Sequence, residues 1–364
     1  MGYLFFLHWY KFYVLTSYSI DVTGTMMVIV QKCTTLAFSL HDGRVKKPEQ
    51  LNEIQKKEAI KTPPPLMLYL SYMFMYQTVM TGPLCFYTDY KKFIEGDHLK
   101  INNGKIPTPH KSALSKLFMT IIFMTIILTM GQITPESIAS SEYMAMPFLK
   151  WAAYWFIAIF VCRVQYYYVW VTADAVANVS GFGFNGYEEN GNEKWDLITN
   201  VHPIKVEMAQ SFKETLDNWN CTTMYWLRRV AYDRVPKNMR TVSTYLLSAL
   251  WHGFFPGYYI TFTGGALLTL AFRTTRRCLR WRFVGSKVQK QVYDVVSFAS
   301  TKVCLAYITM PFVTMHLNPG WFLYKQVYFC VHIAALAAIF ILPLIFPAEK
   351  KVVPEKEANL QKNK

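Results

Sequence analysis

Charged side chains are scarce in this chain of 364 residues: they make up 17% of it, whereas hydrophobic residues make up 52%. An average soluble protein has about 25% charged residues. The apolar residues lie in runs that reach the ~20 residues needed to cross a hydrocarbon core. The single core of a soluble helical protein does not need so many long apolar runs. We therefore predict an all-α, multi-pass transmembrane helical bundle. The runs are 66–86, 114–133, 146–171, 245–272, 292–316 and 321–346, with weaker ones at 3–18 and 20–40.

Closely spaced cysteines and a cleavable signal peptide are also missing. The seven cysteines stand far apart, at positions 33, 85, 162, 221, 278, 304 and 330. This spacing provides neither a disulfide framework nor the ligand pattern of a zinc site, so we predict no metal. The first residues lack the basic segment and the small-residue cleavage site of a secretory signal.

The net charge of +15 does not indicate nucleic-acid binding, because the basic residues gather in segments beside the apolar runs. Such clusters suit anionic lipid headgroups, so membrane lipids are the predicted partners. The segment 273–290 carries seven basic residues and is interpreted as a cytoplasmic loop facing headgroups, with a phosphorylated ligand as the alternative. The sequence HDG at 41–43 predicts a turn, and the polar end, 349–364, predicts a disordered tail.

A single histidine, His252, stands inside the apolar, aromatic stretch 248–262. An ionisable group at membrane depth loses hydration, so it is either held by partners or kept for proton transfer. Gly253, Pro256 and Gly257 directly after it predict a break in the helix. His252 is therefore a candidate general base at a helix break, and a hydrogen-bonded core histidine is the alternative.

Asn220 is the candidate partner of His252. It ends the stretch 204–220, whose apolar residues recur at helical spacing and predict an amphipathic helix at an interface or in the bundle. An imidazole that takes a proton from an alcohol and an amide that donates to the oxygen gaining negative charge suit transfer to a hydroxyl. Asn218 in the same sequence DNWN competes for this role. Arg163, inside an apolar run, predicts either a polar cavity or a side chain that reaches the membrane interface.

Four short motifs in one order resemble the membrane-bound O-acyltransferase family, and within it the lysophospholipid acyltransferase branch. They are WHGFFPGYYITF at 251–262, WD at 195–196, a Tyr followed by a Phe five residues later at 307 and 312, and YKQVYFCVH at 324–332. The similarity runs from about residue 20 to 347. The stretches around the WD motif and DNWN look most like lysophosphatidylethanolamine and lysophosphatidylserine acyltransferases. Members of this branch have further helices before the matching region, so residues 1–348 are identified as a domain of this family that is incomplete at its N-terminus.

The resemblance implies a helical bundle with re-entrant and amphipathic helices around a central reaction chamber. It implies that a fatty acyl group moves from acyl-CoA to the hydroxyl of a lysophospholipid during phospholipid remodelling, in the endoplasmic reticulum membrane. Acyl-CoA is then a co-substrate, and no cofactor is expected. His252 and Asn220 become the catalytic pair. The motif residues expected to bind substrate are Trp195, Asp196, Trp251, Gly253, Gly257, Tyr258, Phe262 and Tyr328.

Two alternatives remain at this stage. One is another lipid or protein O-acyltransferase; the strings FYTDY at 86–90 and LDNWN at 216–220 only partly match the motif of sterol and diacylglycerol acyltransferases. The other is a lipid transporter or scramblase with a polar cavity around Arg163 and His252. Transporters often contain inverted repeats, and none is evident between the two halves of this chain. His332 lies in a separate run and is expected to be structural.

Overall fold

The computed structural model describes residues 1–15, 22–97 and 106–348, and the predicted tail at 349–364 lies outside these ranges. The described chain is helical, with short 3₁₀ turns and one isolated antiparallel bridge between Tyr187 and Glu193. The all-α prediction is confirmed. In chain order the helices are α1 Gly2–Tyr13, α2 Thr23–Val45, α3 Glu53–Glu58, α4 Leu66–Met73, α5 Tyr76–Val79, α6 Tyr87–Ile94, α7 His110–Met130, α8 Ser141–Met144, α9 Phe148–Val179, α10 Pro203–Glu207, α11 Phe212–Asn218, α12 Cys221–Val230, α13 Arg240–His252, α14 Pro256–Phe283, α15 Lys287–Thr314, α16 Leu317–Gln326, α17 Cys330–Phe340 and α18 Leu342–Ile345.

Within the described part of the chain, three helices, α7, α9 and α15, are long and apolar enough to cross a membrane. They correspond to the predicted runs 114–133, 146–171 and 292–316. The run 321–346 is also present, but it is bent by 73° between α16 and the helical stretch Cys330–Ile345. Tyr328 and Phe329 at this bend have positive φ angles, 52° and 53°, which stops a continuous helix.

Two other apolar runs are broken. The run 66–86 ends its first helix at Met73 and continues in the four-residue α5, so it is not one straight helix. The run 245–272 is interrupted between α13 and α14, where the sequence predicted a break. Breaks of backbone structure at membrane depth are tolerated where they line a cavity inside the protein.

Two predictions about loops are wrong. The expected turn at 41–43 lies within α2, where the fully buried Asp42 accepts hydrogen bonds of 2.6 and 2.7 Å from Arg234. The ion pair holds this stretch against the segment after α12, so the glycine of HDG stays helical. The expected loop 273–290 is mostly helix, because α14 runs to Phe283 and α15 starts at Lys287.

The largest hydrophobic core lies among α9, α14, α15, α16 and α17. A second core joins α2, α4 and α6 to the loop after α9, and a third surrounds Trp226 and Trp251. These cores leave a large cavity between them, which is bordered by α9 and α11 to α15.

Candidate active site

Helix α13 delivers His252 to the cavity at its last residue. Gly253, with φ 124° and ψ −160°, ends the helix in a backbone conformation that residues with a Cβ rarely adopt. Pro256 then starts α14, where the missing N–H and the fixed φ of proline fit the first helical position. The helix break predicted from Gly253 and Pro256 is therefore present directly beside the histidine.

The ring of His252 has a defined hydrogen-bonding state. Its Nδ1 lies 2.7 Å from the carbonyl oxygen of Ser248, one helical turn earlier. Because a carbonyl only accepts hydrogen bonds, Nδ1 donates, and in the neutral ring Nε2 keeps its lone pair. Nε2 makes no hydrogen bond within the described part of the chain, and His252 lines the cavity. Nε2 is thus the nitrogen available to take a proton from a molecule in the cavity.

Aromatic rings fix the imidazole from several sides. The ring centroids of Phe262, Phe312 and Tyr258 lie 4.9, 5.2 and 5.6 Å from that of His252. All three residues also line the cavity. Apolar walls of this kind exclude water and strengthen electrostatic interactions at the reacting atoms.

Helix α1 supports the residue before the base. The Nε2–H of His8 donates to the carbonyl oxygen of Trp251 over 3.0 Å, and the Trp251 indole donates to the carbonyl oxygen of Met27 over 3.0 Å. A Cβ on Gly253 would stand 2.8 Å from Nδ1 of His8. His8 was not among the residues predicted from the sequence. Its signal was available, since it is another histidine within an apolar run.

Asn220 lines the same cavity as His252. It precedes α12 in a left-handed backbone conformation, φ 48° and ψ 50°, which asparagine tolerates better than most residues. Its side chain does not cap the helix. Asn218, the competing candidate, donates from its amide to the carbonyl oxygen of Glu214 and does not line the cavity. No hydrogen bond joins Asn220 and His252 in the described structure.

The cavity has a volume of about 2380 Å³ and is mostly apolar, with charge confined to parts of its wall. Arg163, which lines it, donates two hydrogen bonds of 2.8 and 2.9 Å to Glu207, and Tyr167 donates a third of 2.7 Å to the same carboxylate. Burial raises the pKa of Glu207, but the hydrogen bonds and positive charge of Arg163 more than offset it, so this pKa lies below its ordinary value. Of the two predictions for Arg163, the structure agrees with the one that placed it inside the bundle, where its part of the cavity wall is polar.

A stripe of arginines also lines the cavity. Arg273, Arg276 and Arg280 lie on α14 at spacings of three and four residues, and therefore on one face of the helix. The sequence predicted a loop at 273–290, so this shared face was not expected. The helical spacing of the arginines was the signal that would have revealed it.

Comparison with known proteins decides the family. The model of the membrane-bound O-acyltransferase family matches residues 5–300. The chain belongs to this family. It is 38% identical over 370 residues to lysophospholipid acyltransferase 6 of Drosophila melanogaster, covering 97% of the chain and 51% of that protein. It is 39% identical over 361 residues to membrane-bound glycerophospholipid O-acyltransferase 1 of Mus musculus, covering 94% of the chain and 73% of the relative. It is 32% identical over 356 residues to a lysophospholipid acyltransferase of Schizosaccharomyces pombe, covering 93% of the chain and 70% of the relative.

The chain therefore spans about half the length of the Drosophila relative and about two thirds to three quarters of the other two. The match confirms the family predicted from the four motifs. It also covers both His252 and Asn220, which the fold brings to one cavity.

The family motifs fall into two groups in the structure. Trp251, Tyr258 and Phe262 line the cavity. Gly253 and Gly257 do not: Gly253 packs against His8, and Gly257 packs against α15. These glycines shape the site through the backbone, and their expected contact with substrate stays a prediction.

The other predicted binding residues lie away from the cavity. The buried Trp195 donates to Glu193 over 3.0 Å, and its carbonyl oxygen accepts from Lys116 over 2.8 Å. Asp196 accepts from Asn185 over 2.8 Å. Tyr328 is 84% exposed on the outer surface. The fold does not bring Trp195, Asp196 and Tyr328 to His252, so their substrate-binding role also stays a prediction.

Three other motif residues form a separate cluster. The hydroxyl of Tyr307 lies 2.8 Å from Nδ1 of His332, and the rings of Tyr307 and Tyr324 stack 4.2 Å apart. The cluster joins α15, α16 and α17, and none of the three residues lines the large cavity. These contacts pack α15, α16 and α17 together, and the structural role expected for His332 stays a prediction.

Proposed function

We propose that this chain transfers a fatty acyl group from acyl-CoA to the free hydroxyl of a lysophospholipid, with His252 as general base. The observation that carries the proposal is the hydrogen bond from Nδ1 of His252 to Ser248, since it assigns the lone pair to Nε2 beside a cavity that Asn220 also lines. The relatives support the reaction, because their names describe lysophospholipid and glycerophospholipid acyltransferases.

In the proposed reaction, Nε2 of His252 takes the proton of the lysophospholipid hydroxyl while its oxygen attacks the thioester carbon. The carbonyl oxygen gains negative charge, and the amide N–H of Asn220 donates to it. The C–S bond then breaks, and the thiolate of CoA receives the proton from the imidazolium. The products are a diacyl phospholipid and free CoA, and the imidazole returns to its neutral form.

The charges of the cavity wall support a CoA thioester as acyl donor. CoA carries several phosphate charges, and Arg273, Arg276 and Arg280 present three guanidinium groups on one face of α14. Guanidinium groups bind phosphate with paired hydrogen bonds. The apolar remainder of the cavity suits the acyl chains, and Phe262 and Phe312 stand at the base itself.

The choice of lysophosphatidylethanolamine or lysophosphatidylserine and the location in the endoplasmic reticulum membrane are part of the same proposal. They rest on the resemblance of the sequence around Trp195 and Asn220 to acyltransferases of these lipids. Co-fractionation of the chain with endoplasmic reticulum membranes, resistant to alkaline extraction, tests the location.

Labelled oleoyl-CoA supplied with a panel of lysophospholipids to membranes that contain the chain, in cells without endogenous activity, tests the reaction. We expect label in phosphatidylethanolamine or phosphatidylserine, with one CoA thiol released for each acyl group transferred. Asn220→Gly removes the side chain that carries the amide and keeps the left-handed backbone accessible, so it should lower kcat about 10²-fold. Label in no lipid with a folded chain, or thiol release without lipid product, would contradict the proposal.

A further inference from the structure

The start of α12 is capped by a residue from a distant loop. Asn200 lies between α9 and α10 and is 3% exposed. Its backbone carbonyl accepts from the N–H of Cys221 over 2.7 Å. Its side-chain Oδ1 accepts from the N–H of Thr222 over 3.0 Å and from the hydroxyl of Thr222 over 2.7 Å. Asn200 thus satisfies the first two backbone donors of α12.

This arrangement replaces a cap that Asn220 would ordinarily supply. Asparagine at the N-cap position normally has an extended backbone, and its own side chain accepts from the second or third N–H of the helix. Asn220 is left-handed instead, and its side chain makes no cap. Asn200 caps the helix instead, so the amide of Asn220 is not used as a cap and can contact a molecule in the cavity.

The cap is itself tied to the rest of the fold. The hydroxyl of Thr222 donates to Asn200 and accepts from the backbone N–H of Leu84 over 3.1 Å. Thr222 is 7% exposed, so this short chain of hydrogen bonds lies out of water. Buried polar chains with every member satisfied hold a single geometry, whereas losing one member leaves costly unpaired groups.

We propose that Asn200 is a positioning residue for acyl transfer: by capping α12 in place of Asn220 it fixes the left-handed backbone of Asn220 and directs the amide to the reacting oxygen. The inference rests on the proposed function, in which Asn220 touches the substrate. Asn200 acts only through Asn220.

Two variants of Asn200 separate positioning from general support. Asn200→Ala removes Oδ1, whereas Asn200→Asp keeps an acceptor in its place, and a carboxylate is favoured at a helix N-terminus. We expect Asn200→Ala to lower kcat about 10- to 100-fold and to leave KM for both substrates nearly unchanged. This loss of rate is typical of a catalytic group displaced by up to about 1 Å. Asn200→Asp should recover most of kcat.

The double variant Asn200→Ala/Asn220→Ala gives a readout that a structural role does not produce. If Asn200 acts through Asn220, the double variant is as slow as Asn220→Ala alone, per folded molecule. If Asn200 only supports the fold, its effect multiplies that of Asn220→Ala. Multiplication, or a wild-type kcat for Asn200→Ala while Asn220→Ala is slow, would overturn the inference and leave the proposed function intact.

Hydrogen exchange on the purified chain tests the cap without turnover. Asn200→Ala should speed exchange of the Thr222 amide, whose acceptor Oδ1 is removed, at least several-fold, and Asn200→Asp should not. Unchanged exchange in Asn200→Ala would overturn the inference whatever the activity. Acyl transfer by Asn220→Ala at the wild-type rate would instead refute the proposed role of Asn220. The exchange data show separately whether Asn200 caps α12, so the two outcomes can be told apart.

Discussion

Gly257 holds the helix after the base against α15, and adding one methyl group there should damage the site. A Cβ on Gly257 would overlap the carbonyl oxygen of Pro311 and stand 2.8 Å from that of Met315 and 2.9 Å from the carbonyl carbon of Pro311. Ordinary contacts begin at 3.4 Å, so relieving the contact with Met315 alone needs a separation of about 0.6 Å, and relieving the overlap with Pro311 needs more. The atoms in the way are backbone, which cannot swing aside as a flexible side chain can.

The cost of Gly257→Ala can be estimated from two contributions. Overpacking a close helix contact destabilises by about 1–3 kcal/mol. The N–H of Gly257 donates to the carbonyl oxygen of Met315 over 2.9 Å, and separating the helices weakens this bond, which contributes about 1 kcal/mol. We therefore expect a loss of about 2–4 kcal/mol. Since Tyr258 follows directly and lies against His252, activity should fall as well.

Gly264→Ala is the matched control, because it adds the same methyl group two turns later on the same helix. Its Cβ would lie 4.0 Å from Ile308, an ordinary contact, and alanine is favoured over glycine in a helix by about 1 kcal/mol. Fluorescence-detected size exclusion after heating in detergent measures both variants. We expect a lower midpoint for Gly257→Ala and an equal or higher one for Gly264→Ala. Equal midpoints for Gly257→Ala and wild type would refute the packing argument.

Three further predictions concern ion pairs and backbone. Glu207→Gln should destabilise the chain at neutral pH and flatten the acid side of its stability profile. Because the pKa of Glu207 is lowered, its pair with Arg163 stabilises the fold above pH 4.5, and this stabilisation is lost as the pH falls through the lowered pKa. Thermal midpoints measured against pH test this. Gly253→Ala should cost about 1–3 kcal/mol, because its φ of 124° is strained for alanine, and should reduce acyl transfer per folded molecule. Asp42→Asn should cost about 3–5 kcal/mol, because it leaves Arg234 beside a neutral partner, and the double variant with Arg234→Met should recover part of the stability in the same heating assay.

Residues that act through local chemistry were predictable from the sequence. His252 was predicted because it is an ionisable residue in an apolar run, and the helix break after it was predicted from Gly253 and Pro256. The continuous spans α7, α9 and α15 followed from the length and polarity of their runs. Each of these inferences depends on a few neighbouring residues, so a single sequence is sufficient for them.

Residues that act through distant contacts were not predictable. The choice between Asn218 and Asn220 depends on a left-handed residue and on a cap from Asn200 in another loop. Arg163 finds its carboxylate partner 44 positions away, and the carbonyl oxygen of Trp251 accepts from His8, 243 positions earlier. Neither contact changes the periodicity or the composition of the sequence, so neither can be predicted from them. The bend at Tyr328 likewise turns that predicted binding residue to the surface.

The central claim is that Nε2 of His252 takes the proton of the acceptor hydroxyl, and acyl transfer by His252→Ala compared with His332→Gln tests it most directly. Both histidines belong to the family motifs, but only His252 lines the cavity, whereas His332 lies against Tyr307. At equal amounts of folded protein, the account predicts that transfer from labelled acyl-CoA falls at least about 10²-fold in His252→Ala, the lower range for loss of a general base, and stays measurable in His332→Gln. Transfer by His252→Ala at the wild-type rate would contradict it.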